Sequence, residues 1–168
     1  MQWPFESTPV SLFLSTYKRE HATTLKLLRA FPEDKQDLRP AERSSSAEKI
    51  AWTFVAEEIM MLKAIRGESV FGTGAIKSPG SWNAIIDMFE EKHAEIVREL
   101  ESRSSETLTN KVGFFLGPRQ PGDFPAMDFL WMLLFDQIHH RGQLSVYIRV
   151  AGAKLPSIYG ATADEPWT

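Results

Sequence analysis

The chain contains no cysteine. Disulfides, thiolate-bound metals and a cysteine nucleophile are therefore excluded, and the composition suits a reducing compartment. Charge of one sign is also lacking, since 22 acidic and 19 basic residues leave a net charge of -3. Without a basic surplus there is no electrostatic footprint for nucleic acid, and basic-aromatic interleaving of the single-strand-binding kind is missing too. Apolar runs stop far short of the roughly 20 residues that cross a bilayer. The opening MQWPFESTP lacks the basic and apolar regions of a signal peptide. The expectation is a soluble cytoplasmic protein that meets neither membrane nor nucleic acid. The glycine-containing GESVFGTGAIKSPG is neither a P-loop nor a dinucleotide fingerprint, and no serine sits in a nucleophile-elbow context. Water activated by a bound metal ion is the reactive group left to consider.

What the chain does have is helical amphipathicity. Its 168 residues suit one domain, over 1–168, with a hydrophobic core that needs no covalent staples. Thr8-Pro9 is a helix start, a hydroxyl cap followed by proline at the first helical position. Phe13, Tyr17, His21, Leu25 and Leu28 then line one face up to about Ala30, and Phe31-Pro32 ends the helix. A polar connection over 33–43 shows no hydrophobic period. Ser45 with Glu48 reads as a capping box for a second helix through IAWTFVAEEIMMLKAI, which Gly67 stops after Arg66. A third helix, from near Ser81 to about Ser102, buries Trp82, Ile85, Ile86, Phe89, His93, Ile96, Val97 and Leu100. The segment 104–124 is irregular, with KVGFFLG as an extended piece and GPRQPGD as a turn-rich lid. Pro125 opens a fourth helix, and Gly152 with Pro156 beyond it closes that helix. The expected fold is all-α, a four-helix bundle with a long irregular connection before the last helix.

The fourth helix carries the most informative polar residues. In FLWMLLFDQIHHRGQLSVYIRVAGAKLP, Asp136 and His140 fall on one helical face with Leu133, Leu144 and Tyr147. A carboxylate and an imidazole on an apolar stripe are costly to bury unless something pairs with them. They can satisfy each other, or share a metal ion as the paired histidines of a zincin helix do. Zinc, nickel, iron and manganese all accept this combination. A third ligand would come from the second helix, where Thr53 lies at the core-facing edge. Glu57 and Glu58 are chemically better ligands, but adjacent glutamates in mid-helix read as a solvated face. His21 and His93 read as core histidines satisfied by neighbours. Gln143 can orient the imidazole or a ligand, Tyr147 lines the same cleft, and Arg141 anchors a neighbouring loop or subunit.

The run IHHRGQLSVYIRVAGAKLPSIYGATADE resembles the C-terminal signature of the DinB superfamily of small four-helix metalloenzymes: HxxxHRGQ, an aromatic residue, a glycine stop, a proline and a Tyr-Gly pair. LLRAFPEDKQDLRP and RSSSAEKIAWTF resemble the end of that family's first helix and the start of its second. The resemblance implies a homodimeric bundle with a nickel- or zinc-like ion held by three histidines, one on helix two and two on helix four. Position by position, the last of these is His140, its partner one turn earlier is Asp136, and the helix-two ligand falls on Thr53. A Thr53/Asp136/His140 set is weaker than three imidazoles. Glu57, one turn below Thr53, would convert it into a Glu/Asp/His site for harder ions such as manganese. The implied activity is metal-dependent hydrolysis, or transfer chemistry on a low-molecular-weight thiol, with Gln143 and Tyr147 beside the bound molecule and 111–124 as its cover. The alternative is a non-catalytic small-molecule-binding or scaffold bundle that kept the fold and lost the ion.

Overall fold

The computed structural model describes residues 10–103 and 108–168. Along the chain come α1 (Val10–Ala30), α2 (Ala47–Arg66), α3 (Trp82–Glu101), β1 (Lys111–Gly117), β2 (Gln120–Pro125) and α4 (Ala126–Val150). The expected helix start at Thr8-Pro9 lies outside the described residues, as does 104–107 of the segment read as irregular. Both α3 and α4 pack against α1 and against α2, so α1 and α2 face each other across the bundle axis. Among the described residues, no helix is long and apolar enough to cross a membrane.

Local chemistry sets the helix ends. The cap of α2 is Ser46, one residue later than the capping-box reading; its Oγ accepts from Lys49 N at 3.2 Å. Ser45 is used differently, its carbonyl accepting from the Tyr147 hydroxyl at 2.7 Å. Gly67 closes α2 at φ 74°, a conformation that disfavours any residue with a Cβ. Ser81 caps α3 through Ala84 N. Replacing Ser46 by alanine is expected to lower stability by about 1 kcal/mol, read as a shift in the urea midpoint.

The apolar core is divided in two. One half gathers Phe13, Tyr17, Met61, Ile65, Ile96, Leu100, Phe129 and Leu133. The other gathers Leu27, Phe31, Ile50, Phe54, Trp82, Phe89, Leu144 and Ile148. Between them runs a belt of buried polar side chains: Glu20, His21 and Thr24 on α1, Glu57 and Glu58 on α2, and Gln137 and Arg141 on α4. The half-buried His93 of α3 lies at the same level. The order of the two halves along each helix makes α1 and α4 run one way and α2 and α3 the other. The 67–81 connection therefore travels the length of the bundle.

Two expectations need correction. The connection before α4 is not wholly irregular: β1 and β2 form an antiparallel hairpin, paired from Lys111↔Pro125 to Gly117↔Gln120. β1 is the piece KVGFFLG read as extended, whereas Pro121, Gly122 and Pro125 interrupt any period-2 pattern in β2 and hid its pairing. A Cβ at Gly122 would lie 2.3 Å from Leu116 Cδ1, so a larger residue there requires the exposed Leu116 side chain to move. The second correction concerns the phase of α4. Asp136 is exposed, and at this level of the helix the buried polar positions are Gln137 and Arg141, one residue further on in each case. The first half of α4 is covered on nearly every side, so its sequence offers no polar face from which to phase the stripe.

Candidate metal centre

At the level of the polar belt, Glu57, Asp136 and His140 each present a ligand atom, all within 4.8 Å of one another. Glu57 is buried, whereas the Asp136 and His140 side chains are 52% and 23% exposed, so the group opens to solvent from the α4 side. His140 Nε2 lies 3.6 Å from Asp136 Oδ2. The other ring nitrogen, Nδ1, is 3.0 Å from Gln143 Oε1, and Gln143 Nε2 is 3.0 Å from His139 Nε2. With the amide oxygen accepting from Nδ1–H, Nε2 of His140 is the nitrogen turned to Asp136 and the one that a metal would take.

The electrostatics follow from this geometry. Burial first, then the proton shared with Asp136 and the charges of Asp136 and Glu58, push the Glu57 carboxyl well above the usual carboxylate range. Asp136 is held below its ordinary value, chiefly by the hydrogen bond from His140, against burial and with help from Glu57. His140 is raised, first by Asp136, against burial and with a smaller part from Gln143. The metal-free group is thus a protonated carboxyl, a carboxylate and an imidazole drawn toward imidazolium.

Thr53 plays a different part, its hydroxyl donating to the Lys49 carbonyl one turn back at 3.0 Å. Glu57 is the α2 side chain that reaches Asp136 and His140. Tyr147 has its hydroxyl committed to Ser45, and with Gln143 and His140 it lines a surface groove of about 510 Å³. On the other side, Glu57 and Asp136 form the polar end of a cavity of about 430 Å³, otherwise lined by Met60, Phe114, Met132, Leu133 and Phe135. Phe114 comes from β1, so the segment expected to cover the site does supply one wall.

Comparison with known proteins agrees with this architecture. The sequence model of the DinB family matches residues 6–167. The chain belongs to the DinB family. The uncharacterized protein YrdA of Bacillus subtilis strain 168 is 27% identical over 156 residues, covering 91% of this chain and 89% of that protein. A DinB-like protein from Bacillus cereus ATCC 10987 superposes with a TM-score of 0.71 at 26% identity, covering 88% of this chain and 95% of the other. A DinB-like protein of Bacillus subtilis, YjoA, gives a TM-score of 0.68 at 22% identity over 88% and 96% of the two chains, a likeness of fold.

In this DinB chain the HHRGQ and Tyr-Gly elements meet as a structural clamp. Arg141, 1% exposed, donates through Nη2 to Glu20 Oε2 at 2.8 Å and through Nη1 to the Glu20 carbonyl at 3.1 Å. Its Nη2 also donates to the Tyr159 hydroxyl, which in turn donates to Glu20 Oε2 at 2.6 Å. The guanidinium stacks 5.0 Å from the centre of the Tyr159 ring. Arg141 therefore ties the C-terminal tail to α1.

Sequence reasoning placed Glu57 and Glu58 on a solvated face, and both are buried. Their partners explain the difference. Glu57 meets Asp136, while Glu58 accepts from the Tyr17 hydroxyl and, at 3.4 Å, from Gln137 Nε2. The signal available in the sequence was the position of both glutamates between apolar residues on either side of α2, Val55 and Met61, which leaves no room for a fully solvated face.

The DinB family implies a metal, and the residues present fit one. Glu57 Oε2 is buried and, among the described residues, no N–H or O–H group donates to it unless the carboxyl carries its own proton. Two carboxylates and an imidazole make an O,O,N donor set, harder than three imidazoles.

Proposed function

We propose that this DinB protein is a divalent-metal-dependent hydrolase acting on a small, largely apolar substrate, with Glu57, Asp136 and His140 as the metal ligands. The observation that carries the reading is the convergence of these three donors, two of which, Glu57 and Asp136, form the polar end of an apolar cavity. A cavity of about 430 Å³ lies within the range of small-molecule sites. When bound, the ion supplies Lewis acidity toward water and toward a polar group of the substrate.

The chain's own residues do the rest. Gln143 fixes the tautomer of His140. Met60, Phe114, Met132, Leu133 and Phe135 hold an apolar body and exclude water. Glu57 keeps its proton until an ion displaces it, so uptake of metal releases protons. The harder donor set favours manganese or zinc over nickel, and water over a low-molecular-weight thiol as the nucleophile.

Chelator-stripped protein is expected to bind one equivalent of Mn²⁺ with release of protons, and His140→Ala should weaken that binding at least about 10–100-fold. Folded protein that takes up no Mn²⁺ or Zn²⁺ at this site would overturn the reading. A second reading rests on the proton that Glu57 shares with Asp136, which satisfies the group without an ion and leaves a metal-free binding cavity. It predicts that an apolar fluorescent probe enters the cavity while added metal changes neither proton count nor stability.

A further inference from the structure

We propose that the bundle axis holds a second divalent-cation site, formed by His21 of α1, Glu58 of α2 and His93 of α3. Ligand atoms of these three residues lie within 4.8 Å of one another. The proposal does not depend on the Glu57/Asp136/His140 reading. Glu57 and Glu58 are neighbours on α2, and the helical step of about 100° per residue turns them to different sides: one toward α4, the other into the axis.

Three observations point to an ion. First, His21 Nδ1 and His93 Nδ1 are both buried and, among the described residues, have no hydrogen-bond partner. His21 itself is only 5% exposed. An unsatisfied buried nitrogen is costly, and a cation held among these three residues is the kind of partner that removes that cost. Second, His21 Nδ1 stands 3.9 Å from Glu58 Oε1, beyond hydrogen-bond reach yet close to the spacing of two ligands on one ion. Third, the carboxylate is already oriented as a ligand would be. Tyr17 donates to Oε2 and Gln137 to Oε1, an outer pair of donors that fixes its plane.

The imidazoles are held face to face, with ring centres 3.5 Å apart and planes 14° from parallel, between Phe89 at 4.2 Å and Tyr17 at 4.7 Å. Ligand atoms around a tetrahedral Zn²⁺ stand about 3.4 Å apart, so closure requires a small contraction. Rotation of the half-buried His93 ring about its Cβ–Cγ bond supplies it and opens the stack. The same ring, at the surface between α1 and α3, gives the route of entry. Two imidazoles with one carboxylate select zinc-like or iron-like cations rather than calcium or magnesium.

The test uses Co²⁺ as an optical probe in the full-length variant Asp136→Asn/His140→Ala, which lacks the outer site. The proposal expects one equivalent of Co²⁺, with visible d–d absorption, and loss of that equivalent when His93→Phe is added. Phenylalanine keeps the aromatic stack and removes the donor. If His93→Phe proves unfolded by circular dichroism, Glu58→Gln replaces it and the same loss is expected. No Co²⁺ uptake by the folded double variant overturns the proposal. So does uptake that persists after the donor is removed. The outer site is judged separately, from the Mn²⁺ equivalent that disappears with His140→Ala alone.

Discussion

Replacing Arg141 by alanine is expected to cost about 3–5 kcal/mol of stability. The magnitude comes less from the lost ion pair than from what remains. Glu20 is 4% exposed, and burial alone would raise its carboxyl. Hydrogen bonds from Tyr159 and Arg141, with the guanidinium's charge, bring it below the ordinary range instead. Without Arg141 that carboxylate is left charged in a dry site, or has to take a proton to stay there. The tail also loses one of its ties, since Arg141 bonds both Glu20 and Tyr159, although Tyr159 still donates directly to Glu20. Against a typical total of about 5–15 kcal/mol, the loss is a large share of the fold's stability. Urea unfolding checks it, and a double-mutant cycle with Glu20→Gln is expected to recover part of the cost, because the stranded charge is then gone. A change below about 1 kcal/mol in Arg141→Ala would show that the clamp is not a stabilising element.

The metal-free protein is expected to be most stable between about pH 4.5 and 6.5 and to weaken on both sides. Burial pushes the Glu58 carboxyl from 4.5 up to about 8, against the hydrogen bonds from Tyr17 and Gln137. The folded state keeps a proton that the unfolded chain has already given up. This contribution is fully present below 4.5 and lost as the pH rises through about 8. Glu57, raised by burial and then by Asp136, acts in the same sense. The histidines act oppositely. Burial lowers His21 from 6.5 to about 4 and His93 from 6.5 to about 3, so the folded state refuses protons that the unfolded chain accepts. Their contribution is present above 6.5 and lost as the pH falls toward 4 and 3.

Between the two ordinary values the carboxyls and imidazoles offset each other, which gives a plateau. Outside it, each uncompensated group adds a slope of up to about 1.4 kcal/mol per pH unit. Urea midpoints in chelator should be lower near pH 8 than near pH 5.5, and Mn²⁺ or Zn²⁺ should remove much of the alkaline decline by taking the place of the Glu57 proton. A metal-free midpoint that keeps rising to about pH 8 would contradict this account.

The parts of this molecule legible in its sequence are those governed by local rules. Helical periodicity, Gly67 and Ser81 mark α2 and α3 to within a residue or two, because caps and stops act over one turn. The i, i+4 spacing of Asp136 and His140 identified two members of the candidate centre for the same reason. Glu57 and Glu58 were read as solvated because what retains them in the interior, Tyr17, Gln137 and Asp136, comes from other helices. His21 and His93 were recognised as core residues, but their stacking on each other depends on the packing of α1 against α3. The extended character of KVGFFLG is legible, but its partner strand is masked by Pro121, Gly122 and Pro125, which a two-stranded ribbon with free edges tolerates.

The polar belt between the two apolar halves also settles how the helices align along their axes. Leucine, isoleucine and phenylalanine on either side would pack almost as well after one helix slid by a turn, about 5.4 Å. Such a slip would set Glu20 or Glu58 against aliphatic side chains and leave Arg141 facing nothing it can donate to. The belt works as an axial ruler with marks on all four helices, and only one alignment brings the marks together.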